Sequence, residues 1–127
     1  MRAVDANVVV RLLARDDVGQ TRVAEEFVAR GAWVSHLVLV ETVWVLASVY
    51  ELKPPALAAA VEMLLDHRDL TIQGLEVVEA ALTRFRRTPS ISFSYCLVLE
   101  TACKAGHLPL GTFDRALGRL DGAERLR

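Results

Sequence analysis

Apolar residues recur along this chain in two rhythms, short unbroken runs and longer stretches spaced three and four apart, and the two rhythms alternate. Compact runs read as buried strands and spaced ones as amphipathic helices. Ala3-Val4 reads as the first strand, and Val8 to Ala14 as the helix that follows it. After a polar connection from Arg15 to Gln20, the spacing of Val23, Ala24, Phe27 and Val28 predicts a helix over 21–30, ended by Gly31. Ala32-Trp33-Val34 is the second strand, and Ser35 then caps a long helix from His36 to Glu51.

Lys53-Pro54-Pro55 breaks that helix and starts the next, because proline is tolerated in a first turn but not in a helix interior. Its stripe of Leu57, Val61, Leu64 and Leu65 runs to about His67, and Leu70-Thr71-Ile72 is a third strand. Helices over 74–87 and 93–105 flank a loop at Thr88 to Ser92. Leu108 to Thr112 leads into a fourth strand, a short helix runs to about Leu120, and a last strand lies near Glu124 to Leu126. Strands alternating with helices argue for a parallel sheet, since parallel neighbours need crossover connections. The expected fold is α/β, with four to five strands, mainly parallel, between layers of helices in one domain over 1–127.

The composition of 53% hydrophobic and 24% charged residues suits a compact chain of 127 residues, not a disordered one. A net charge of -1 means that any nucleic-acid binding must come from a local cationic cluster. Asp5 and Arg11 interrupt the N-terminal apolar run, so no signal peptide is expected. The most apolar stretch, Leu37 to Leu46, contains Glu41 and is far shorter than the ~20 residues of a membrane span. Cys96 and Cys103, seven apart on one helix, should lie roughly 10 Å apart, too far to bridge. They are expected to be reduced core residues, and the protein cytoplasmic.

Three acidic residues change the picture. Asp5 stands where the first strand ends and a helix begins, the edge at which open parallel sheets build their sites. It is equally suited to capping that helix. Glu41 has apolar neighbours on every helical face, which leaves it little room to face water and asks for a cation, a donor or a proton; the other reading is a partly exposed residue on a narrow polar face with Thr42 and Ser48. Asp114 follows the fourth strand, so chain order puts it on the same carboxyl edge, although alone it reads as a turn residue. Carboxylates converging there repel one another unless a divalent cation joins them. All-oxygen ligation favours magnesium or manganese over zinc.

Four segments carry a resemblance: Val4-Asp-Ala-Asn7, Ser35-His-Leu-Val-Leu-Val-Glu41, Phe93-Ser-Tyr-Cys-Leu-Val-Leu-Glu-Thr-Ala102 and Gly111-Thr-Phe-Asp114. In this order and spacing they resemble the successive motifs of the PIN-domain family, and among its members the VapC-type toxins of bacterial toxin–antitoxin pairs. The resemblance implies an α/β/α sandwich and a Mg2+- or Mn2+-dependent endoribonuclease inhibited by a cognate antitoxin. It implies that Asp5, Glu41 and Asp114 are metal-site carboxylates, with Asn7 and Thr112 as polar residues beside them. One position departs from the family pattern: Tyr95 stands where a fourth acidic residue is usual, and a neutral phenol is a poor Mg2+ ligand. Ser92 could offer a hydroxyl nearby. Loss of that acid opens a second reading, a disarmed domain that still binds antitoxin or RNA.

Arg115, beside Asp114, and Arg11 are the candidate ligands of RNA phosphates. Arg84, Arg86 and Arg87 cluster at a helix C-terminus, where cations also complement the helix dipole. Trp44, Val45, Val49 and Tyr50 make the third helix more apolar than one core face requires. In the resembled family antitoxin helices dock on the early helices and toxins commonly form homodimers, so part of this surplus fits an interface.

Overall fold

The computed structural model describes all residues, 1–127. The elements run β1 (Arg2–Ala3), α1 (Ala6–Ala14), α2 (Val18–Val28), β2 (Ala32–Val34), α3 (His36–Ser48), α4 (Pro54–Asp66), β3 (Leu70–Ile72), α5 (Leu75–Arg87), α6 (Phe93–Ala105), β4 (Leu110–Thr112), a 3-10 turn η1 (Leu117–Arg119) and β5 (Ala123–Arg125). The fold is α/β and every strand pair is parallel. The five strands form two ladders, β1-β2-β3 and β4-β5, where the sequence suggests one sheet. Strands of two or three residues carry few backbone groups to share, so each ladder is short. No helix is long and apolar enough to cross a membrane.

The chain packs as two compact units, Met1–Leu75 and Glu76–Arg127. In the first, β2 is the central strand, with Arg2 opposite Ala32 and Val34 opposite Ile72. Alternation sets its faces: Ala32 and Val34 are buried while Trp33 between them is exposed. The core beneath the helices is aliphatic, with Val9, Val28, Leu39, Val61 and Leu64 almost wholly buried. Each such side chain is worth roughly 1.5–3 kcal/mol of transfer free energy. In the second unit Phe93, Leu99, Val78 and Cys96 form the core, and the Phe85 and Phe93 rings meet edge to face at 6.1 Å.

Several boundaries differ from the sequence reading, each for a local reason. The first strand is Arg2–Ala3, an edge strand with both residues exposed; Val4 lies just beyond it, buried, its N–H donating to the Trp33 carbonyl. Helix α2 begins at Val18, three residues early, because Asp17 accepts from the Gln20 N–H and caps it. Helix α3 stops at Ser48, not Glu51: the Leu52 N–H turns back to the Leu46 carbonyl and Glu51 adopts a left-handed φ of 56°.

Neither cysteine is in a disulfide, but only Cys96 is a core residue; Cys103 is exposed near the end of α6. Removal from water pushes the Cys96 thiol up to about 11. A thiol titration with Ellman's reagent at pH 8 is therefore expected to find one reactive equivalent in the native protein and two in denaturant. Two rapid equivalents from the native protein would contradict this packing.

Candidate functional site

In the first unit, Asp5 sits in extended conformation between β1 and α1. Its Oδ1 accepts from the Val8 N–H at 3.2 Å, so the capping role read from the sequence is real. Its Oδ2 faces Asn7, whose Nδ2 donates to it at 3.5 Å. The side chain is exposed and in no ion pair, and lone pairs remain on both oxygens after the bonds from Val8 and Asn7.

Glu41 is exposed, against the expectation that apolar neighbours enclose it. Helix α3 buries only the stripe Leu39, Thr42, Val43 and Leu46, while Leu37 is 84% and Trp44 64% exposed. An apolar run was therefore no guarantee of an apolar surrounding. No ion pair or hydrogen bond occupies the Glu41 carboxylate. Thr42 beside it is buried but satisfied, its hydroxyl donating to the Val38 carbonyl at 2.7 Å.

In the second unit, Asp114 follows β4 in a tight loop. Its N–H donates to Thr112 Oγ1 at 2.9 Å, its Oδ1 accepts from the Leu117 N–H at 2.8 Å, and its carbonyl accepts from the Gly118 N–H at 3.0 Å. The turn role is therefore present here too, and it holds the carboxylate in one orientation while Oδ2 carries no bond. Thr112 acts through its hydroxyl on the Asp114 backbone. Ser92 caps α6 by accepting from the Tyr95 N–H at 3.2 Å, and Tyr95 itself is 44% exposed on the first turn. Glu100 is taken up elsewhere, its Oε1 2.8 Å from both Nε and Nη2 of Arg84.

Asp5 and Asn7 are thus brought together within one unit, as are Thr112 and Asp114 within the other. In neither unit do three His, Cys, Asp or Glu side chains gather as a preformed metal cage. The donor chemistry nonetheless suits a hard divalent cation: Asp5, Glu41 and Asp114 are oxygen donors that no lysine or arginine neutralises.

The cationic candidates divide. Arg11 is half-buried and committed: Nη1 lies 2.6 Å from Asp16 Oδ1, and Nη2 donates to the Tyr50 hydroxyl at 3.3 Å. The Tyr50 hydroxyl in turn donates to Asp16 Oδ2 at 2.8 Å, and that bond, with burial, raises the phenol above its ordinary range. This triad spans residues 11 to 50, a separation that no local sequence signal reports. Arg115 is exposed and in no ion pair. Of the histidines, His36 is half-buried with Nε2 2.6 Å from the Gln73 carbonyl, and His107 is exposed.

Two apolar hollows open in the first unit. One, of about 430 Å³, lies between α1 and α2 and is lined by Val8, Val23, Ala24 and Phe27 with Arg11 at its side. The other, of about 460 Å³, is lined by Leu13, Leu46, Leu52 and Met63, with Asp16 and Tyr50 as its polar members.

Neither a curated protein nor a solved structure matches the chain. The family model of the PIN domain matches residues 2–123, a stretch that contains Asp5, Glu41 and Asp114. PIN domains are generally nucleases and generally use divalent metal ions. A match over nearly the whole length, with an α/β fold of parallel strands beneath it, settles the assignment: the chain belongs to the PIN-domain family.

Proposed function

We propose that this protein is a Mg2+- or Mn2+-dependent endoribonuclease, the VapC-type toxin of a toxin–antitoxin pair. The observation that carries the reading is the PIN-domain match across residues 2–123, because it takes in three acidic positions that carry no protein cation. Asp5, Glu41 and Asp114 are the residues that would hold the ion. A divalent metal held there would lower the pKa of a water and would offset charge developing on the scissile phosphate. The rest falls to the chain's own groups. Asn7 steadies Asp5 through its amide, and Thr112 fixes the Asp114 backbone. Arg115 is the free cation for a substrate phosphate, since Arg11 is held by Asp16.

Exposed apolar residues on α3, with Leu37 and Trp44 foremost, support a homodimer contact. The hollow between α1 and α2 suits the apolar face of an antitoxin helix. Location in the cytoplasm belongs to the same proposal. Tyr95 favours one other reading, a PIN domain that binds RNA or antitoxin without cutting, because its phenol replaces a ligand with an exposed neutral ring.

Incubation of the purified protein with unstructured and hairpin RNAs in Mg2+ and in Mn2+ separates the two. Cleavage that stops on chelation supports the nuclease reading. A folded protein that binds RNA and leaves it intact in both ions moves the assignment to the binding module.

A further inference from the structure

The second unit holds a polar hollow that shares no residue with the proposed metal site. It measures about 320 Å³ and is lined by Ala80, Thr83, Arg84, Arg87, Thr88 and Glu100. Ala80, Arg84 and Arg87 recur at four and three, so they share one face of α5, and Glu100 closes the hollow from α6.

Its charged groups differ in what they have left to give. Glu100 is 14% exposed and its Oε1 accepts from both Nε and Nη2 of Arg84 at 2.8 Å. That double grip fixes the plane of the guanidinium and leaves Nη1 without a bond. Withdrawing such a pair from water costs desolvation that two apolar residues of like volume would avoid, so its use is to hold the arginine in one direction. Arg87, one turn on, is exposed and in no ion pair. Thr88 adds a hydroxyl, while that of Thr83 is spent on the Glu79 carbonyl at 3.1 Å. The Thr88 N–H donates to the Arg84 carbonyl at 2.9 Å, which ties the residue to the last turn of α5.

Two arginines against one carboxylate leave this lining cationic. The volume stands near the lower end of the roughly 300–1,000 Å³ of small-molecule pockets. A small anion is the occupant that fits both facts. Among anions, a phosphate monoester carries a charge near -2 at neutral pH and three acceptor oxygens. Arg84 Nη1, Arg87 and the Thr88 hydroxyl supply as many donors. A phosphodiester within a chain, with one charge and two free oxygens, would leave one of them idle. We infer that this hollow binds the terminal phosphate of a small phosphate monoester of the mononucleotide class, gripped by Arg84, Arg87 and Thr88.

Isothermal titration calorimetry with AMP, inorganic phosphate and adenosine, at physiological salt and in chelator, tests it. AMP and phosphate are expected to bind saturably and adenosine not to. Arg87→Gln should weaken AMP by about 10-fold, the loss of one charge-assisted bond, and Thr88→Val severalfold, the loss of a neutral one. Both side chains lie at the rim and support no core residue, so the variants should fold, which circular dichroism verifies. Arg30→Gln, on an exposed residue outside the hollow, is the control that keeps wild-type affinity. In 15N-labelled protein AMP should shift the Arg84 Nε–H and Thr88 amide signals. A 5′-phosphorylated trinucleotide that binds more tightly than AMP, and loses that affinity in Arg87→Gln, supports the same site with an RNA end as the source of the phosphate. Equal affinity for AMP in wild type and Arg87→Gln overturns the inference. So does binding of adenosine as tight as that of AMP, or the absence of both heat and signal shifts with every phosphate. None of these measurements reads cleavage, so the outcome is independent of the nuclease reading.

Discussion

Asp114→Asn is expected to lower metal-dependent RNA cleavage by on the order of 10²–10³-fold while leaving the melting temperature nearly unchanged. The asymmetry comes from what an amide keeps and what it loses. Its carbonyl oxygen can still accept from the Leu117 N–H, as the Asp114 Oδ1 does at 2.8 Å, so the loop after β4 retains its bond. What disappears is a full negative charge and an anionic ligand. A metal's charge stabilisation is worth several kcal/mol, and each 1.36 kcal/mol is tenfold in rate. Asp5→Asn should behave alike, because asparagine is as good an N-cap as aspartate and the Val8 N–H keeps its partner. Glu79→Gln, on the exposed side of α5, is the control in which a lost carboxylate changes neither rate nor stability. Cleavage that survives Asp114→Asn undiminished would remove Asp114 from the proposed ligand set.

The fold was legible wherever a local signal set a boundary. Gly31, with φ of 91°, and the Ser35 cap bracket Ala32–Val34, while Ser92 and Gly106 bracket α6 at Phe93–Ala105. Where the deciding contact is nonlocal or hidden among polar residues, the local pattern does not encode it. Asp17 caps α2 from inside a stretch that looked like plain connection, and the split of five strands into two ladders depends on pairings that no periodicity encodes. The candidate acids drew notice because Asp5 and Asp114 stand at strand ends and Glu41 stands within the motif spacing. Their surroundings were not legible: Glu41 was expected to be enclosed and is exposed, because α3 turns much of its apolar surface to water. The same limit hid the Arg11, Asp16 and Tyr50 triad, and the pairing of Arg84 with Glu100 across two helices.

Tyr95→Asp should raise cleavage in Mg2+ by about 10-fold or more, the result expected if Tyr95 limits the activity of this chain. The position tolerates the change. Tyr95 is exposed on the first turn of α6, and its N–H, not its ring, makes the bond to Ser92. Losing the phenol therefore leaves no cavity and breaks no cap. An aspartate in a helix's first turn is also favoured by the dipole, by roughly 0.3–1 kcal/mol, so the variant should melt no lower than wild type. The gain should appear in the cleavage step: a fourth carboxylate adds an anionic oxygen ligand of the kind that Mg2+ prefers and a neutral phenol does not supply. Tyr95→Asn separates charge from size, since it shortens the side chain without adding an anion, and it should stay at the wild-type rate. If aspartate and asparagine both raise cleavage equally, the bulk of the ring was the obstacle and the missing charge was not. If neither raises it and wild type cuts well, three carboxylates suffice and the departure at Tyr95 has no bearing on catalysis.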